Sequence, residues 1–254
     1  MTIPQRLLQR LDELGVVLAR RGDALALFGV GSVGLDTDRL DDHSDIDFFA
    51  IVEDDAKQHY LDSIDWLEEL APVVFSFENS VDGRKVLFAD GIFAEYAVFT
   101  LGELRAQSYP PLRLVWRRDD APADLRDGAG RLPGASPHDN AEWQVNEALT
   151  NLYVGLHREL RGERLSAMRF IQVHAVDRLL TYLDLTESTP TQDAFVVERG
   201  AEKRHASATL PLAELAPGYE RNREAALAIL AWLEERAEVN GVLAEVIREL
   251  ANRA

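Results

Sequence analysis

Apolar residues recur at Leu7, Leu11, Leu14 and Leu18 with Arg and Asp between them. That spacing puts them on one face of a helix, which predicts a first helix ending at Gly22 and Asp23. The run Ala24–Val30 is short and apolar throughout and predicts a buried strand. Residues 31–44 are polar, rich in Gly and Asp, and read as a loop. A second strand is expected over Asp45–Val52, followed by an amphipathic helix over 55–70 with Tyr60, Leu61, Ile64, Leu67 and Leu70 on one side. Three more strands are expected over Val73–Phe77, Lys85–Ala89 and Ile92–Phe99. Asp82-Gly83 and Asp90-Gly91 separate them, and Asp-Gly between apolar runs signals a hairpin. Leu112–Trp116 is a further strand candidate.

The pattern changes after Trp116. Residues 117–139 carry Arg, Asp, Gly and Pro with little apolar periodicity and read as a linker or surface loop. Beyond residue 140 the period is helical: long amphipathic segments over 141–162 and 164–184, an interruption at Pro190, and a final helix over Tyr219–Asn252 with a kink near Asn240-Gly241. The expected fold class is α+β, a mixed sheet with flanking helices over 1–120 followed by a helical bundle over 140–254.

Composition narrows the function. The chain of 254 residues has 27 Lys and Arg against 44 Asp and Glu, a formal charge of −17. Neutralising a phosphate backbone takes clustered cations, so the balance argues against nucleic acid and against an anionic membrane surface. It leaves room for a small anionic substrate whose charge is met by metal ions. The absence of cysteine rules out disulfides, thiolate zinc sites and cysteine nucleophiles. No stretch approaches the ~18 apolar residues of a membrane span, and no signal core precedes Arg21; a cytoplasmic protein is expected.

One cluster carries chemistry. Gly31-Ser32 follows the first strand, and Asp45-Ile46-Asp47 opens the second. Residues i and i+2 of a strand share a face, so Asp45 and Asp47 project together while Ile46 and Phe48 turn to the core. Adjacent carboxylates repel unless a cation lies between them, and hard oxygen ligands suit Mg²⁺. A Gly-Ser turn lets backbone N–H groups and a hydroxyl approach phosphate oxygens. Glu95, isolated in an apolar strand, is a third carboxylate. Each element singly is common as an ordinary turn, strand end or salt-bridged residue; their order in one chain is the signal.

Gly31-Ser32 with Ser44-Asp45-Ile46-Asp47 resembles the DNA polymerase beta-like nucleotidyltransferase superfamily. Leu27–Ser32 and His43–Phe49 look like the opening of antibiotic nucleotidyltransferases, and Trp66–Val74, Phe88–Gly91 leading to Glu95, and Asn140–Arg164 are similar to the B-type lincosamide group. The resemblance implies that Asp45, Asp47 and Glu95 hold Mg²⁺, that Gly31 and Ser32 contact the nucleotide phosphates, and that Glu95 takes a proton from the attacking hydroxyl. It implies transfer of a nucleoside monophosphate, as AMP from ATP or another NTP, to a hydroxyl of a small molecule such as a lincosamide or aminoglycoside, with release of pyrophosphate. It also supports the homodimer that the long amphipathic C-terminal helices permit. The chain departs from the pattern in the long 31–44 loop, whose Asp36, Asp38, Asp41 and Asp42 would repel a triphosphate unless they face away.

Other residues rank lower. His43 sits beside the acidic strand and reads as an ordinary loop residue, with the ordering of a substrate as the alternative. His157, His174 and His205 read as packing or surface residues, and no two histidines have a zinc spacing. Arg199, Lys203 and Arg204 read as a solvated helix face, with a reach to the triphosphate as the alternative. Tyr153, Phe170 and Tyr182 read as core. A reading of another class is a non-catalytic nucleotide-binding or antitoxin-like interaction module; completeness of the acidic trio favours the enzyme. A transferase acting on tRNA or protein is disfavoured by the charge.

Overall fold

In the computed structural model the chain divides into two compact units, Met1–Pro133 and Gly134–Ala254. The structure describes residues 1–35, 37–128, 130–131, 140–187, 193, 195–206 and 208–253. Asp36, residues 132–139 of the expected linker, and Pro190 lie outside the described residues.

The first unit opens with helix α1, Ile3–Arg20, whose Leu7, Leu11, Leu14 and Leu18 are buried as their spacing requires. Thr2 and Gln5 form a capping box that satisfies its first free N–H groups. Six strands follow: β1 Ala24–Val30, β2 Ile46–Val52, β3 Val73–Ser80, β4 Gly83–Phe88, β5 Phe93–Thr100 and β6 Arg113–Arg117. Their order in the sheet is β3-β4-β5-β2-β1-β6. Only β2 and β5 run parallel; the other neighbours are antiparallel, so the sheet is mixed, as expected. One face packs Ile46, Phe48, Tyr96 and Val86 against the leucines of α1 and against Tyr60, Trp66 and Leu67. The opposite face carries a second cluster of Phe28, Ile51, Phe99 and Leu112.

Three expectations are corrected here. The helix over 55–70 is two short helices, α2 Lys57–Asp62 and α3 Asp65–Glu68, broken at Ser63, which is extended. The Ser63 carbonyl freed by the break accepts from Trp66 Nε1 at 3.1 Å, and the Trp66 ring then meets Tyr60 and Tyr96 edge-on. A helix absent from the periodicity, α4 Leu101–Ala106, starts at a capping box of Thr100 and Glu103. Finally, residues 118–128 and 130–131 are no free linker. Ala121 and Leu125 are buried in the second cluster, Arg118 reaches Glu53 at 2.6 Å and the Gly22 carbonyl at 2.8 Å, and Leu112 and Gly128 exchange backbone bonds. The few apolar residues of this Asp-rich stretch leave no period to read; the backbone bonds hold it.

The second unit is helical: α5 Ala141–Leu160, α6 Arg164–Met168, α7 Val176–Thr186, α8 Ala201–Arg204, α9 Leu212–Leu215, α10 Asn222–Arg236 and α11 Gly241–Asn252. α6 and α7 are joined by a π-helical stretch, Arg169–Ala175. There the buried Gln172 side chain bonds Gly218 backbone N–H and C=O and the Asn222 carboxamide. The expected final helix is the pair α10 and α11. Ala237 is extended, and Asn240 caps the new N-terminus by accepting from Val242 and Leu243. Tyr153, expected in the core, is exposed against His157. Phe170 and Tyr182 are half-buried, and the Tyr182 hydroxyl donates to the Arg236 carbonyl. Among the described residues no helix is long and apolar enough to cross a membrane.

Arg204 is not part of a solvated face. Its side chain is largely buried, ion-paired with Asp184 at 3.0 Å and bonded to the Val197 carbonyl. Arg199 pairs with Asp193, and Lys203 is exposed. His205 lies beside Asp184 with its ring buried. Burial lowers its pKa below 6.5 against the pull of Asp184, so the folded unit holds it neutral. Unfolding lets it take a proton near its ordinary value, so this contribution to stability is full above pH 6.5 and falls as pH drops through the lowered folded value. Thermal melts from pH 7.5 to 5 are expected to fall more steeply for the wild type than for His205→Gln. Parallel curves would remove His205 from the acid sensitivity.

Candidate functional site

β1 ends at Val30, and the chain turns at once through a 3₁₀ turn, Gly31–Val33. Gly31 has φ +60, and a Cβ there would lie 2.8 Å from Asp47 Oδ2. The turn thus rests against the Asp47 carboxylate and needs a residue without a side chain. At Gly29 an added Cβ would meet the Val33 carbonyl oxygen at 2.5 Å, so the turn folds back over the strand end. Arg113, opposite Gly29 on β6, donates from Nε to that same carbonyl at 2.8 Å and holds the turn from the side. Nothing in the apolar period marks Arg113; only strand pairing brings it here.

On β2, Ile46 and Phe48 are buried and Asp47 faces the other way, as alternation requires. Asp47 stands opposite Val30 on β1 and opposite Glu95 on β5. Adjacent strands lie about 4.8 Å apart, so Val30 at the start of the Gly31 turn, Asp47 and Glu95 occupy neighbouring places in one transverse row. Asp45 is half-buried and immediately precedes β2. Ser32 is half-buried in the turn.

Glu95 is engaged. Lys85, its partner across β4 and β5, reaches Oε2 at 3.0 Å, and Asn79 Nδ2 donates to Oε1 at 2.6 Å. Neither residue stands out in the sequence except by the scarcity of lysine. Among the described residues no three His, Asp or Glu side chains lie close enough together to hold a metal ion. Asp47 and Glu95 supply carboxylate oxygens, the donor type that hard divalent cations take, from neighbouring positions on β2 and β5.

The described acids of the 31–44 loop fall into two kinds. Asp41 accepts from the His43 N–H at 2.9 Å and lies 3.3 Å from the Ser44 hydroxyl, so its carboxylate braces its own turn. Asp38, Asp42 and His43 are exposed.

Gly31→Ala is expected to cost about 1–2 kcal/mol through the left-handed backbone alone and to push the Asp47 carboxylate aside. Its thermal midpoint should fall, whereas Gly22→Ala, where an added Cβ meets nothing within 4 Å, should melt like the wild type. Equal midpoints for the two variants would contradict the tight turn.

No protein-family model matches the chain, and no curated protein matches it. Several solved structures are similar to it, three of them as follows. An aminoglycoside 6-adenyltransferase from Bacillus subtilis is 11% identical with a TM-score of 0.32, covering 96% of this chain and 90% of that one. A STING-associated CdnE c-di-GMP synthase from Capnocytophaga granulosa is 13% identical with a TM-score of 0.33, covering 99% and 80%. The CCA-adding enzyme of Thermotoga maritima, complexed with tRNA, is 13% identical with a TM-score of 0.34, covering 98% and 72%. Likeness this slight carries no argument about reaction or substrate.

Proposed function

We propose that the chain is a nucleotidyltransferase that moves a nucleoside monophosphate, AMP from ATP in the simplest case, to a hydroxyl of a small molecule and releases pyrophosphate. The observation that carries this reading is the register that sets the Gly31 turn, Asp47 and Glu95 side by side across β1, β2 and β5. The resemblance in the Gly31-Ser32 and Asp45–Asp47 motifs supports it. Residues 1–120 would form the catalytic domain and 140–254 the acceptor-binding or dimerisation domain. A lincosamide or aminoglycoside is the acceptor class the resemblance suggests.

In this reading Asp45 and Asp47 hold Mg²⁺, with Glu95 as a third ligand. Bound there, Mg²⁺ supplies positive charge to the triphosphate and to the leaving oxygen. Gly31 and Ser32 bind the β- and γ-phosphates through backbone N–H groups and the Ser32 hydroxyl, at a turn with no Cβ in the way. This orients the α-phosphorus over the Asp47–Glu95 row. Glu95 accepts the proton of the acceptor hydroxyl as its oxygen attacks the α-phosphorus and the bond to pyrophosphate breaks. For this Glu95 must exchange its bond to Lys85 or Asn79 for one to the hydroxyl. Positioning and electrostatics account for most of the rate.

The test mixes the protein with Mg²⁺, ATP and a panel of hydroxyl acceptors and measures pyrophosphate. Release that requires both acceptor and Mg²⁺ is expected. A second reading, the non-catalytic nucleotide-binding or interaction module, draws on the engagement of both Glu95 oxygens by Lys85 and Asn79. Binding of a fluorescent ATP analogue with no pyrophosphate from any acceptor would favour it.

A further inference from the structure

The sheet face that carries Asp47 and Glu95 continues beyond them onto β4 and β3. Glu95 is opposite Lys85, and Lys85 is opposite Phe77, so Phe77, Lys85, Glu95 and Asp47 form one row across four strands. The next row on the same face is Phe75, Leu87 and Phe93. Phe75 and Phe77 are 51% and 43% exposed, with ring centroids 5.7 Å apart, and Leu87 and Phe93 are half-buried. Large apolar side chains placed contiguously in solvent mark a binding surface more often than chance. These lie two strand spacings, about 10 Å, from the Glu95 carboxylate.

We infer that this face of β3 and β4, within the first unit, is the acceptor subsite, which of the two roles proposed for 140–254 leaves dimerisation. It takes a molecule with an uncharged apolar or aromatic ring face, stacked on Phe75 and Phe77, whose hydroxyl reaches Glu95. The inference rests on the transfer reaction proposed above and names its acceptor class. Charge decides against a polycationic acceptor. The one cation in the row, Lys85, is paired with Glu95. The one carboxylate of β3, Glu78, pairs with Arg84 at 2.6 Å, and Arg84 also bonds Leu61 of α2, on the other face. The ring end of the subsite therefore offers apolar surface and no anion, although the whole chain is strongly acidic. Asn79, two residues beyond Phe77 on β3, bonds the Glu95 carboxylate through its amide.

The test titrates phenyl β-D-glucoside, with kanamycin as a polycationic comparator, into the full chain by saturation-transfer NMR. The variants are the pair Phe75→Ala and Phe77→Ala, and Phe77→Leu alone; both positions are exposed, so the fold should persist. Phenyl glucoside is expected to bind the wild type through its ring protons. Binding should weaken about tenfold in the double variant and less in Phe77→Leu, which keeps apolar bulk without a ring. A fluorescent ATP analogue with Mg²⁺ should bind all three proteins equally. The subsite is overturned if the glucoside fails to bind the wild type, if the double variant binds it equally, or if kanamycin binds in preference. It is also overturned if the double variant turns a dimer into a monomer by light scattering, which would make the face a subunit interface. Loss of the glucoside effect with nucleotide binding intact refutes the subsite alone. Failure of the nucleotide to bind, with the glucoside effect present, refutes the transfer reaction and leaves the ring platform standing.

Discussion

Asp47→Asn is expected to lower pyrophosphate release about a thousandfold or more, because a metal-bound carboxylate contributes several kcal/mol to charge stabilisation and each 1.36 kcal/mol is tenfold in rate. The substitution keeps the shape of the side chain that rests against Gly31. Circular dichroism melts of the variant should therefore match the wild type. Nucleotidyl transfer at a wild-type rate would sink the metal role of Asp47. A lower midpoint together with lost activity would mean that Asp47 mainly supports the Gly31 turn.

Glu95→Gln separates chemistry from packing. If Glu95 takes the proton of the acceptor hydroxyl, the rate should fall about 10²- to 10⁴-fold, the usual contribution of a positioned base. The ion pair with Lys85 is partly exposed on both sides, and such pairs contribute about 1 kcal/mol or less. The carboxamide also keeps an acceptor for Asn79. The thermal midpoint should hence move little while turnover collapses. An unchanged rate would leave Glu95 as the structural partner of Lys85 and Asn79, and would strengthen the non-catalytic reading.

Much of the first unit was legible because its signals are local. The leucines of α1, the uninterrupted apolar run of β1, the alternation around Asp47 and the Asp-Gly turns each act within a few residues. α4 was not read: the apolar period passes over so short a helix, and the signal that could have marked it is the capping-box spacing of Thr100 and Glu103. The break at Ser63 was not, because it depends on where the Trp66 ring packs. The packing of 118–128 and 130–131 was not, because it rests on backbone bonds to segments elsewhere in the chain. Arg204 looked solvated because its partner Asp184 lies on another helix.

The sequence by itself determined which residues were candidates: Gly31, Ser32, Asp45, Asp47 and Glu95 stand out through residue type, order and strand parity. Tertiary structure decided what each of them meets. It put Asp47 against Gly31 and level with Glu95, tied Glu95 to Lys85 and Asn79, set Arg113 behind the turn, and carried the same face on to Phe75 and Phe77. The reason is that strand parity is a property of one segment, with a period of two residues. Register between strands is set instead by the joint packing of segments distant in the chain, and a slip of one residue would turn Asp47 into the core.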